Sequence, residues 1–102
     1  MLGRVRTAAA VDAMLEALRG AGAEEREAAA VALGFAESER GVAPLVAVLA
    51  RDAEASVRAA AAYALGRIER PEATEALSAA LRGDRDARVR RAAAHALGEI
   101  HG

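Results

Sequence analysis

The chain has 102 residues, and 54% of them are hydrophobic although only one Phe, one Tyr and no Trp contribute. One domain fits this length, and an apolar content carried mainly by alanine favours closely stacked helices over a globule with a bulky core. The formal net charge of −1 argues against a nucleic-acid or anionic-membrane partner. The chain has no cysteine, which excludes disulfides and thiolate metal sites. We therefore expect an all-α domain.

The amino-terminal segment carries early positive charge followed by alanines, as signal peptides do. Asp12 and Glu16 interrupt what would be its apolar core, and no apolar run approaches the ~20 residues that cross a bilayer. We therefore predict no membrane partner and take the cytoplasm as the expected location.

Residues 1–6 are predicted to be the remnant of a preceding helix. The string Leu-Gly-Arg-Val at 2–5 matches Leu-Gly-Arg-Ile at 65–68, where a helix is predicted to end. The first helix pair then covers about residues 7–38. Its first helix has an apolar face formed by Met14 and Leu18, and its second helix contains the string Ala-Leu-Gly at 32–34.

A second helix pair is predicted over about residues 41–70. Pro44 lies near the start of its first helix, where the missing N–H of proline costs little. Leu45, Val48 and Leu49 form the apolar face of that helix, and a polar turn follows. The second helix has apolar residues at helical spacing, which predicts a buried stripe. The stripe consists of Val57, Ala61, Ala64, Leu65 and Ile68.

The third helix pair, about residues 72–101, repeats the second. Pro71 is expected to open it as Pro44 opens the second pair, and Leu77 and Leu81 repeat the apolar face. The Ala-Leu-Gly glycines at 34, 66 and 98 are evenly spaced, and the Val-Arg strings at 57–58 and 89–90 are separated by the same interval, which we call the repeat period. Several columns that share one period indicate an internal repeat, and therefore a stack of similar units.

A glycine inside each second helix needs a physical reason, because it costs roughly 1 kcal/mol relative to alanine. The simplest reason is that a neighbouring helix approaches closely at that point. The alanines that flank Gly34, Gly66 and Gly98 fit such an approach.

The repeated pattern resembles HEAT-like repeats of the bilin-lyase type: a leucine pair, an acidic turn, Val-Arg, two alanines and Ala-Leu-Gly-x-Ile. Residues 41–102 carry it well and residues 1–40 less tightly. The resemblance implies a single domain over residues 1–102, a right-handed α-α superhelix of about three helical hairpins. It also implies that the second helices line the concave face, and that the protein is a scaffold or adaptor.

The same resemblance implies a structural ladder along the stack. Arg58 and Arg90 would pair with acids of the inter-helix turns, which are Asp52, Asp84 and Asp86. The matching turn of the first unit, residues 19–23, contains no acid, so the resemblance assigns no partner to Arg26.

The candidate binding surface is the side of the second helices that points away from the buried stripe. Its positions differ from unit to unit, as a surface adapted to a partner would. Phe35 and Tyr63, the only aromatic residues except the histidines, both fall on it. We predict an apolar centre with a charged rim that binds a protein or peptide. The alternative is that Phe35 folds back over the amino-terminal end. The positions of this surface fall in three rows, and each row has one residue from every unit. The rows are Glu27, Ala59 and Arg91; Val31, Tyr63 and His95; and Phe35, Arg67 and Glu99.

Catalysis and metal binding are not expected. His95 and His101 lack cysteine partners and do not share a helical face, and no nucleophile triad or phosphate-binding loop occurs. We predict a protein that is not an enzyme and needs no cofactor or metal. A bilin-lyase fragment stays open as an alternative, and Tyr63 with Arg67 is the only plausible pair for it.

The ends of the predicted stack are open, although solenoids normally have polar caps. No following pair would cover Ala93, Ala94 and Leu97. Three function classes remain: a protein-binding scaffold, a self-assembling homo-oligomer that associates through its ends or its concave face, and a bilin-handling fragment. A scaffold predicts that Phe35 and Tyr63 are exposed and adjacent. A homo-oligomer predicts that its end helices are buried between chains, and a bilin-handling fragment predicts a deep pocket.

Overall fold

The computed structural model describes residues 7–102, so the predicted helix remnant at 1–6 lies outside the described residues. Six α-helices follow one another within this range, which contains no strand, and they form three consecutive helix pairs. We call the first helix of each pair the A helix and the second the B helix, and we number the pairs as units 1 to 3. The helices are α1 (Ala8–Ala17), α2 (Ala23–Ala36), α3 (Val42–Arg51), α4 (Ala55–Ile68), α5 (Thr74–Gly83) and α6 (Ala87–His101).

Short 3₁₀ helices, Glu39–Gly41 and Pro71–Ala73, lead into the A helices of units 2 and 3. Pro71 begins the second of these and so precedes α5, whereas Pro44 lies in the first turn of α3. The expectation that the two prolines open their helices in the same way is therefore wrong. Both positions tolerate proline for the same reason, because the first turn of a helix leaves its N–H groups without a partner inside the helix.

The B helices form the spine of the molecule. Helix α4 packs between α2 and α6, and each A helix packs mainly against its own B helix. The predicted stripe of α4 is buried, from Val57 and Ala61 at 0% exposure to Ile68 at 8%, which confirms the helical period found in the sequence. This arrangement is an all-helical repeat solenoid, in which each unit buries its apolar side against the next.

Two of the repeated glycines lie where neighbouring B helices approach each other most closely. A Cβ atom added to Gly34 would lie 2.9 Å from Cα of Ala64, and one added to Gly66 would lie 2.8 Å from Cα of Ala96. Such distances are shorter than non-bonded carbon atoms tolerate. The predicted reason for the glycines is therefore confirmed at these two contacts.

The exposed end of α6 differs in part from the prediction. Among the described residues, Ala94 is exposed and Leu97 is half-buried, which agrees with the prediction for these two side chains. Ala93, however, is fully buried. It lies one repeat period after the buried Ala61, so it occupies the side of the helix that packs inside the stack, and it needs no further unit to cover it.

Candidate functional site

The B helices are held in register by two bidentate ion pairs between consecutive units. Arg26 donates from Nε and Nη2 to the carboxylate of Asp52 at 2.8 and 3.1 Å, and Arg58 donates in the same way to Asp84 at 2.9 and 3.0 Å. Each arginine belongs to one unit and each aspartate to the inter-helix turn of the next. The paired side chains are largely buried, so this ladder fixes the orientation of each B helix relative to its neighbour.

Each aspartate also organises its own turn. An oxygen of Asp52 accepts the backbone N–H of Glu54 at 3.0 Å, and an oxygen of Asp84 accepts that of Asp86 at 2.9 Å. The guanidinium hydrogen bonds lower the pKa of both aspartates, because they stabilise the carboxylate form. Both carboxylates are therefore held ionised where two units meet.

The ion-pair partners in this ladder differ in part from those that the sequence predicted. Arg26 has a full partner, Asp52, although its own turn contains no acid, because the arginine reaches forward to the next unit. Asp86 pairs with Arg88 of its own helix start, not with Arg58 or Arg90. The pairing of Arg90 with a turn acid is wrong for residues 7–102: its Nη1 donates to the Asp84 carbonyl at 2.7 Å, and no carboxylate of this range forms an ion pair with it.

The surface opposite the buried stripe, which we call the B-helix face, is exposed in all three units. Phe35 is 60% exposed, and Val31 and Tyr63 are each 43% exposed. Phe35 therefore does not fold away over the end of the stack. Among the first-row positions, Glu27 and Ala59 are half-buried, whereas Arg91 is exposed.

The exposed side chains of this face contact one another across the helices. The guanidinium carbon of Arg67 on α4 lies 4.8 Å from the ring centroid of Phe35 on α2, a cation–π contact. The rings of Tyr63 on α4 and His95 on α6 meet edge to face with centroids 5.4 Å apart. Tyr63 and Arg67 are one turn apart on α4, so these two contacts lie side by side, and we call Phe35, Arg67, Tyr63 and His95 the strip.

Charged groups surround this strip. Nε2 of His95 lies 3.8 Å from a carboxylate oxygen of Glu99, one turn along α6, and this contact is an ion pair only when the histidine is protonated. Arg91 adds a positive charge on the same helix, and Glu27 a negative one on α2. The strip thus has an aromatic centre and a rim of both signs, as many protein interfaces do.

Two surface grooves lie away from the B-helix face. One, of about 530 Å³, lies between α3 and α5; half of its lining residues are alanine or glycine, and Arg58 and Asp84 also line it. The other, of about 670 Å³, lies beside α1 and the turn that follows it. Tyr63 and Arg67, the pair that a bilin site would require, line neither groove.

Residues 7–102 contain no group of three or more histidine or acidic side chains placed to hold a metal ion. Within the same part of the chain, no helix has the length and apolar character needed to cross a membrane.

A family profile described as HEAT repeats matches residues 42–102, which is more than half of the chain. The chain belongs to the HEAT-repeat family. The matched HEAT repeats are units 2 and 3, where the repeat period is most regular, and the irregular unit 1 precedes them. The match supports HEAT repeats in general and does not extend to the bilin-lyase type. Comparison with curated proteins gives no match.

Proposed function

We propose that this HEAT-repeat protein is a non-enzymatic scaffold that binds a protein or peptide partner through its B-helix face. The observation that supports this proposal is the exposure of Phe35, Tyr63 and Val31 on the B-helix face, where Arg67 contacts Phe35 and His95 contacts Tyr63. HEAT repeats commonly serve as protein-interaction scaffolds. The stack itself does not use these three side chains as core, since its buried residues lie on the opposite side of the same helices.

The energetics favour Phe35 and Tyr63 as the centre of such an interface. Burying an aromatic side chain removes about 150–250 Å² from water when complete, at roughly 25 cal/mol per Å². The rings are also held in place before binding, because Arg67 covers one face of Phe35 and His95 packs against Tyr63. Less side-chain entropy is therefore lost when a partner binds.

The rim indicates what kind of partner fits. Arg67 and Arg91 offer guanidinium groups that bind carboxylates, and Glu27 and Glu99 accept hydrogen bonds from basic groups. We therefore expect the bound segment to present an apolar or aromatic side chain to the strip, with charged residues of both signs beside it.

The test is a selection of displayed peptides on the wild-type protein, followed by titration of the selected peptides. We expect Phe35→Ala to weaken binding by about 30-fold or more, because truncation of a central aromatic residue costs about 2 kcal/mol or more. Leu81→Ala is the matched control, since Leu81 is also an exposed apolar side chain but lies on α5. Peptides that bind the wild type and Phe35→Ala equally well would refute the proposal.

The second candidate is self-association through the same face. The rim favours it, because arginines and glutamates occur together and two copies related by a twofold axis can pair opposite charges. Light scattering over a concentration series tests it. A wild-type dimer that Phe35→Ala with Tyr63→Ala converts to a folded monomer would support self-association, and a monomer at every concentration would exclude it.

A further inference from the structure

One side chain of the strip belongs to a residue type that changes its charge near neutral pH. His95 is exposed on α6, and its ring meets that of Tyr63 on α4 edge to face with centroids 5.4 Å apart. The imidazole group of histidine ordinarily titrates near about pH 6.5, so it is neutral above this pH and a cation below it. A partner side chain that covers Tyr63 also touches His95. It therefore meets a neutral ring or a charged one according to the pH.

The charged groups next to His95 on its own helix have opposite signs. Arg91 lies one turn before it on α6, and a carboxylate oxygen of Glu99, one turn after it, lies 3.8 Å from Nε2. Helix α4 presents the phenol ring of Tyr63, and the guanidinium of Arg67 on that helix lies over an aromatic ring of α2. The charges of Arg91 and Glu99 cancel, so protonation of His95 leaves this part of the strip with a net positive charge.

Helix α5, which also packs against α6, contacts the other histidine of the chain instead. Oγ1 of Thr74 lies 2.7 Å from Nε2 of His101. Among residues 7–102, the charged side chains of α5, Glu75 and Arg82, form no ion pair with His95. The two histidines therefore have different surroundings on one helix, and His101 lies outside the strip.

A covered His95 is expected to favour its neutral form. Removing water from a charged group costs free energy unless hydrogen bonds or an ion pair replace that water. The carboxylate of Glu99 lies at 3.8 Å, which is beyond hydrogen-bond distance, and it loses water itself when the strip is covered. Arg91 repels the protonated ring. Because binding favours the neutral ring, protonation favours release by the same factor.

We propose that protonation of His95 weakens partner binding to the B-helix face, so that the protein binds its partner near neutral pH and releases it in mild acid. This inference rests on the proposed function and adds its regulation. The partner is a segment that covers the strip with an apolar or aromatic side chain. The fold itself does not titrate in this range, since Asp52 and Asp84 are held ionised down to a pH below the ordinary carboxyl pKa near 4.

The experiment titrates displayed peptides, selected at about pH 7.5, against the protein at several pH values and constant ionic strength. Peptides are chosen that contain no histidine and that lose affinity for Phe35→Ala. We expect the affinity of the wild type to fall about tenfold between about pH 7.5 and about pH 5.5, because one proton bound by a free imidazole group is lost on binding. A change of less than about twofold, or stronger binding in acid, would overturn the proposal.

The chain supplies a matched control, because it contains two histidines. In His95→Gln we expect the affinity to vary less than about twofold over the same pH range, since glutamine does not titrate. His101→Gln should keep the pH dependence of the wild type. If His101→Gln abolished that dependence and His95→Gln kept it, the assignment to His95 would be wrong.

Nuclear magnetic resonance of the ring protons of both histidines observes the proton directly. With a bound peptide, the His95 signal should titrate about one pH unit or more below its position in the free protein, and the His101 signal should stay where it is. An unmoved His95 signal would overturn the proposal. The two hypotheses fail differently: if no selected peptide depends on Phe35, the proposed function fails and this inference falls with it. Binding that depends on Phe35 but not on pH overturns this inference alone.

Discussion

Helices α4 and α6 carry nearly the same residues in the same columns but differ in how they are covered. Both have a buried valine in the first turn, Val57 or Val89, followed by an arginine, and both contain Ala-Leu-Gly. Among the described residues, α4 packs against a B helix on each side, and α6 packs against one B helix, α4. As a result, Arg58 is buried and ion-paired, whereas Arg90 is half-exposed and bonds only to a carbonyl within residues 7–102.

This difference shows that position in the stack, and not residue identity, sets the energetic role of a repeated side chain. Gly66 lowers helix propensity but permits the close approach of α6. Gly98 lowers helix propensity in the same way, and no described residue packs closely against it. Paired substitutions at equivalent positions of units 2 and 3 therefore measure the contribution of the inter-unit interface directly, with each unit serving as the control for the other.

The largest contrast is expected at the leucines of the A helices. Leu49→Ala should lower the free energy of unfolding by about 2–5 kcal/mol, because Leu49 is almost fully buried and a cavity remains. Leu81→Ala should cost less than about 1 kcal/mol, since its side chain is already partly in water. Urea denaturation of both variants checks the prediction, and similar losses would mean that the two units are equally covered in solution.

The glycines should respond with opposite signs. In Gly66→Ala the new methyl group meets Ala96, and we expect a net loss of roughly 1–2 kcal/mol after the gain in helix propensity is included. In Gly98→Ala nothing opposes the methyl group among residues 7–102, so a gain of up to about 1 kcal/mol is expected. Chemical denaturation measures both. A gain in stability for Gly66→Ala would contradict the close approach of α4 and α6.

Acid should first weaken the two interfaces between consecutive units, where the ladder aspartates lie. The folded protein holds the pKa of Asp52 and Asp84 below their ordinary values through the bonds from Arg26 and Arg58. The unfolded chain therefore binds protons at a higher pH than the folded protein, and this contribution is complete above the ordinary carboxyl pKa near 4 and lost as the pH falls below it. Half-buried Asp86, with a pKa lowered to about 2 by Arg88, changes stability in the same direction.

Unfolding free energies measured between pH 5 and pH 2 test this expectation, with the pH values chosen around the ordinary carboxyl pKa. In Asp84→Asn the remaining side chain cannot ionise, so we expect a smaller loss of stability over this range than in the wild type. An equal loss in the two proteins would show that the bond from Arg58 does not couple Asp84 to folding.

The sequence predicted those features that depend on one helix at a time. The helical period identified the buried stripe of α4, and the repeated Ala-Leu-Gly string predicted a close approach that Gly34 and Gly66 confirm. The same helical period also showed which side of the B helices is exposed. Each of these inferences follows from the geometry of a regular helix, which a sequence contains in full.

Features that depend on how units meet were harder to predict. The partner of Arg26 was missed because the pattern was compared with the turn of its own unit, while the side chain reaches the turn of the next. The contact of Arg67 with Phe35 joins residues on two helices, and its distance depends on their spacing and crossing. Applying to Arg26 the sequence separation that joins Arg58 to Asp84 would have found Asp52.

The ladder also bears on how arrays of this kind change in length. Any block of the regular region that is one repeat period long, wherever it is cut, carries one ladder aspartate and one ladder arginine. Duplicating such a block therefore adds one complete ion pair, and deleting it removes one. Recombination between repeats has no need to respect helix boundaries to keep the arginines between consecutive units matched, provided that the exchanged segments have the length of the period.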